Sequence, residues 1–147
     1  MELTGSCCCR AITYEIKLQS ANDTRTSLCH CKNCKKAFGT NYSLTAKIPH
    51  EAFKYTQGKP KEHAADNDSG TAIYREFCDT CGSFILEYGE AAKFDSRYVC
   101  VGSLDDPEAL PLAGCLRRVQ NAGEGSVQNS KSISEGDLRL LEIIVAC

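Results

Sequence analysis

No apolar run in this 147-residue chain approaches the ~18 residues that a membrane-spanning helix needs. The opening Met1-Glu2-Leu3-Thr4-Gly5 lacks both the basic region and the apolar region of a secretory signal. The chain is therefore read as cytoplasmic, with no membrane partner, in a compartment where thiols stay reduced. Neither sign of charge is in excess: 17 Lys and Arg stand against 19 Asp and Glu, a net charge of -2. Nucleic acid is disfavoured as a partner, because binding it needs many cationic contacts to phosphate. Disordered composition is missing too, since 42% of residues are apolar and 24% charged.

Cysteine is what the chain has in abundance. There are 11, clustered as Cys7-Cys8-Cys9, Cys29-His30-Cys31-x-x-Cys34 and Cys78-x-x-Cys81, with Cys100, Cys115 and Cys147 single. An odd, clustered set does not suit a disulfide framework, and cysteines one or two residues apart converge more readily on one metal ion than on each other. A solitary C-x-x-C is ambiguous between metal and redox chemistry; three clusters together point to metal.

Short strands separated by turn signals fill the first ~110 residues. Ala11 to Leu18 alternates, placing Ile12, Tyr14, Ile16 and Leu18 on one face. Further strands are expected over Thr40–Ile48 (ended by Pro49), Phe53–Thr56, Thr71–Phe77, Ser83–Tyr88 and Tyr98–Val101. Only Cys34–Phe38 and Asp105–Leu110 suggest helical turns. The fold class is mostly β, of short antiparallel strands with little helix. A domain over 1–112 is expected to be followed by a divergent, partly disordered segment over 113–147. Within it, Val119–Gly136 is rich in Gly, Ser, Asn and Gln, and Asp137–Cys147 turns apolar again.

In an extended chain residues i and i+2 share a face, so Cys7 and Cys9 can grip one ion while Cys8 faces away. Cys78-x-x-Cys81-Gly82 has the knuckle pattern that aims two sulfurs at one point, and the four sulfurs complete a tetrahedral structural site. Cys29, Cys31 and Cys34 remain. Three protein ligands with an open fourth position is the arrangement of a catalytic zinc, and His30, between two of them, is expected to point away. Three thiolates on a divalent ion carry net -1, and so soft a site favours another thiol as fourth ligand. Lys32, Lys35 and Lys36 surround the cluster and can offset that charge or receive substrate carboxylates. His30 and Asn33 are lesser candidates for substrate contacts.

Gly5-Ser6-Cys7-Cys8-Cys9, Cys29-His30-Cys31-x-x-Cys34 with Gly39, Ser69-Gly70, Phe77-Cys78-x-x-Cys81-Gly82-Ser83 and Gly102-Ser103-Leu104-Asp105-Asp106-Pro107, in that order, resemble the glutathione-dependent formaldehyde-activating enzyme family, which includes centromere protein V. The resemblance covers residues 3 to 111. It implies a β-tent zinc-binding fold with two zinc ions, one structural on Cys7, Cys9, Cys78 and Cys81 and one catalytic on Cys29, Cys31 and Cys34. It further implies carbon–sulfur lyase chemistry on adducts of glutathione, or another small thiol, with formaldehyde or a related small carbonyl compound. Lys32 and Lys35 would contact the thiol compound. Two departures stand out. The chain lacks the tryptophan of the family's C-terminal segment, and Lys35 stands where Arg or Gln is more usual. A non-catalytic zinc-binding interaction module derived from the same family is the alternative reading.

Overall fold

A computed structural model describes residues 1–66 and 70–110 and the backbone of 115 and 116. Nine strands run through the main body: β1 Glu2–Ser6, β2 Thr13–Lys17, β3 Arg25–Cys29, β4 Ser43–Pro49, β5 Phe53–Gln57, β6 Lys61–Asp66, β7 Ala72–Phe77, β8 Phe84–Gly89 and β9 Ser96–Cys100, followed by β10 Cys115–Leu116. The one α-helix among the described residues, α1, covers Lys32–Phe38. The strands form a three-stranded sheet, β1-β2-β5, and a seven-stranded sheet, β10-β3-β4-β9-β8-β7-β6. The mostly β expectation holds. Pairing is antiparallel except for β10, which lies parallel to β3, beyond residue 112. Val119–Gly136 and Asp137–Cys147 lie outside the described residues.

Alternation places the core. Ile12, Tyr14, Ile16 and Leu18 are all buried along β2 and its flanks. They meet the inner face of the larger sheet, where Leu86, Val99 and Ala46 lie side by side in register across β8, β9 and β4 and are fully buried. Tyr14 packs on Phe53 with ring centroids 5.0 Å apart, and the Tyr55 hydroxyl of β5 donates to the Glu76 carboxylate of β7 at 2.5 Å, which ties the two sheets. Successive residues of a strand face opposite ways, so the adjoining register row, Arg75, Glu87, Tyr98 and Lys47, occupies the outer face.

The Leu104-Asp105-Asp106-Pro107 segment closes the open side of β1. The Asp105 carboxylate accepts from the Thr4 hydroxyl at 2.6 Å, and the Asp105 N–H donates to the Thr4 carbonyl at 2.9 Å. Gly5 is required here: a β-carbon on it would fall 2.2 Å from the Tyr14 ring.

Among the described strands β1, β3, β6 and β10 were not expected from sequence, and several boundaries moved, with β9 at Ser96–Cys100 and α1 starting at Lys32. β1, β3 and β6 offer few large apolar residues, so their pairing rests on backbone bonds with better-marked neighbours. The expected Thr40–Ile48 strand begins only at Ser43, because the Thr40 hydroxyl bonds the Tyr42 backbone and holds 40–42 in a turn. The turn expected over Asp105–Leu110 is reduced to Pro107–Ala109. Among the described residues no helix is long and apolar enough to cross a membrane.

Candidate metal centres

Two turns build the first centre. After β1 the chain folds back so that the Cys7 N–H donates to the Ile12 carbonyl at 3.0 Å and the Arg10 N–H to the Cys7 carbonyl at 2.9 Å, with Arg10 in the left-handed region at φ 60°. After β7 the pattern repeats with its inner bond one residue longer: the Cys78 N–H reaches the Ser83 carbonyl at 2.9 Å and the Gly82 N–H reaches the Cys78 carbonyl at 2.8 Å. Gly82 takes the left-handed conformation there, at φ 74°. Cys7 and Cys9 thus converge through a tight turn and not through the strand alternation expected. Cys8 is exposed, as expected, and its N–H donates to the Ser83 hydroxyl at 2.9 Å, joining the two turns.

The sulfurs of Cys7, Cys9, Cys78 and Cys81 all lie within 4.8 Å of one another, with Cys7 to Cys9 at 3.5 Å and Cys9 to Cys78 at 3.8 Å. Tetrahedral zinc with bonds near ~2.3 Å sets its sulfurs ~3.8 Å apart, so the donor set fits that ion. Protonation behaviour agrees. The Ser83 hydroxyl and nearby N–H groups hold Cys81 down at about 5. At Cys9 a backbone bond from Ala11 favours the thiolate, yet Cys7 and Cys81 push it up to about 12. Four sulfurs this close would all ionise only around a shared cation.

A strand end and a helix start build the second centre. Cys29 is the last residue of β3, opposite Ser43. Cys31 is the N-cap of α1, its sulfur accepting the Cys34 N–H at 3.3 Å, and Cys34 is buried in the first turn. Capping, and not continued alternation, brings Cys31 beside Cys29. The three sulfurs lie within 4.8 Å of one another. Contact with Cys29 and burial raise the Cys34 thiol, with the Ser43 hydroxyl opposing. His30 stands outside this sulfur group, its ring packed 5.8 Å from that of Tyr42, and its Nε2 is buried with no hydrogen-bond partner among the described residues. Lys32, Lys35 and Lys36 are exposed, at the i, i+3, i+4 spacing that makes one helix face. Asn33 is already engaged by Arg75 and the Asp66 carbonyl.

The family model of the glutathione-dependent formaldehyde-activating enzymes matches residues 2–114, a stretch that contains both sulfur clusters. The chain belongs to this family. A Colletotrichum graminicola protein whose name places it among the glutathione-dependent formaldehyde-activating enzymes is 32% identical over 90 residues, covering 61% of this chain and 44% of its own length. This chain therefore spans less than half of that relative. A crystal structure of a Rhodobacter sphaeroides protein shares the fold, with a TM-score of 0.55 at 20% identity over 76% of this chain and 98% of that one.

Within the formaldehyde-activating family domain, the cysteines singled out in the sequence gather into two clusters, and sequence reasoning missed what surrounds them. Ser83 and Ser43 contact the two clusters. Arg75 and Glu87 form a buried ion pair at 3.1 Å. The available signal was a charged residue within each of two strands, Arg75 three residues before Cys78 and Glu87 five residues after Gly82.

Proposed function

We propose that this protein is a zinc-dependent, carbon–sulfur lyase-type enzyme acting on adducts of glutathione, or a similar small thiol, with formaldehyde or a related small carbonyl. The observation that carries this reading is the division of the sulfurs: four close one site, and among the described residues three gather at the start of α1. Zinc held by three thiolates supplies a fourth position for a small thiol and lowers that thiol's pKa.

Each residue has a definable task. Cys29, Cys31 and Cys34 hold the ion, and Cys7, Cys9, Cys78 and Cys81 hold the structural one. Lys32 and Lys35, exposed on one face of α1, receive a carboxylate of the thiol compound and so orient its sulfur. His30, its Nε2 buried and without a hydrogen-bond partner among the described residues, is a lesser candidate for a substrate contact. In the forward direction a carbon–sulfur bond forms, and the thiol's proton ends on the former carbonyl oxygen as a hydroxymethyl group. The reverse breaks that bond, and no oxidant or reductant enters.

Exchange spectroscopy on an equilibrium mixture of carbon-13 formaldehyde and glutathione tests the reading. The zinc-loaded chain is expected to speed interconversion of free formaldehyde and the hydroxymethyl thioether without changing their ratio. An exchange rate equal to that of buffer would leave the protein a zinc-binding interaction module instead.

A further inference from the structure

Next to the three-cysteine cluster lie two buried charges that holding a metal does not require. Arg75 and Glu87 are each 8% exposed, oppose each other across β7 and β8, and join Nε to Oε2 at 3.1 Å. A buried pair of this kind is weak evidence for stability, because desolvating both charges costs about what their attraction returns. Its second contact gives it a purpose. Arg75 Nη2 donates to Oδ1 of Asn33, and Asn33 lies between Cys31 and Cys34 in the first turn of α1. Asn33 Nδ2 donates onward to the Asp66 carbonyl at 3.4 Å.

We propose that Arg75 is the positioning residue of the three-cysteine site: held by Glu87 and holding Asn33, it fixes the Cys31–Cys34 turn in the geometry that takes a metal ion. A seven-residue helix has too few turns to keep its own place, so its anchors matter. They include the contact of Phe38 with Phe84, ring centroids 4.3 Å apart, and the bonds of Asn33 to Arg75 and to the Asp66 carbonyl. The planar guanidinium engages two acceptors at once in fixed directions, which a lysine ammonium does not. Its charge also balances Glu87, so the net -1 of three thiolates around a divalent ion is not compounded by an unpaired carboxylate. This rests on reading the cluster as a metal site, and not on which thiol or carbonyl is handled.

The test uses the full chain, with cobalt spectra reporting the two sites and chelator competition measuring zinc affinity at each. Asn33→Ala keeps the Arg75–Glu87 pair and removes the link to Arg75 together with the bond to the Asp66 carbonyl, whereas Arg75→Lys leaves the latter in place. It is expected to weaken the three-cysteine site about 10- to 100-fold and shift its cobalt bands, with the four-cysteine site and melting temperature unchanged. Arg75→Lys should show the same loss, and Asn33→Asp, which keeps an oxygen acceptor, should restore most of the affinity. Wild-type affinity and spectra in both Asn33→Ala and Arg75→Lys would overturn the proposal. A wild-type chain that takes up one cobalt only would overturn the metal reading beneath it.

Discussion

A Cys78→Ser chain is expected to lose its cooperative fold at ordinary temperatures. Cys78 is 1% exposed and belongs to the core. Its turn meets the Cys7 turn and so fastens the end of β1, in the smaller sheet, to the β7–β8 hairpin of the larger. Where a structural zinc site forms only in the folded chain, its binding free energy is folding free energy, about 10–16 kcal/mol for small zinc domains. Losing even half of that is comparable with the ~5–15 kcal/mol that separates native from unfolded proteins. Thermal melts should show the transition lowered or absent, as for the wild-type chain stripped by a chelator. Cys8→Ser is the control: that thiol is exposed and only its backbone N–H contacts Ser83, so stability should change by no more than about 0.5 kcal/mol. A Cys78→Ser chain that keeps two metal equivalents and its melting temperature would refute the structural assignment.

The Cys31→Ser chain should do the opposite, keeping its fold and losing its chemistry. Cys31 caps α1 through a sulfur that accepts the Cys34 N–H. Serine is among the best N-cap residues, so the substitution preserves the helix start while removing a thiolate ligand. Metal analysis should find one zinc retained, on the four-cysteine site, and one lost. The formaldehyde–glutathione exchange rate should fall to that of buffer. Retention of both ions with full exchange activity would remove Cys31 from the site.

The four- and three-cysteine clusters and the strands around Ile12–Leu18 and Ile85–Tyr88 could be read from sequence because each carries a local pattern. Short sulfur spacing admits few geometries, and apolar alternation needs a buried face. β6, Lys61-Glu62-His63-Ala64-Ala65-Asp66, has no such pattern: it is an exposed edge strand and exists through its bonds to β7. β3, with Leu28 as its one large apolar residue, likewise depends on β4. The Arg75–Glu87 pair joins residues 12 apart by a register that only the folded hairpin sets. The Cys7 and Cys9 sulfurs come together through a tight turn where alternation had been expected, since both bring i and i+2 close.

Native mass spectrometry of the zinc-loaded chain, titrated with glutathione, tests the central claim most directly. One closed and one open thiolate site predict two zinc ions per chain and one added glutathione at millimolar concentration, with the addition lost in Cys31→Ser. Two zinc ions and no thiol addition would contradict the account.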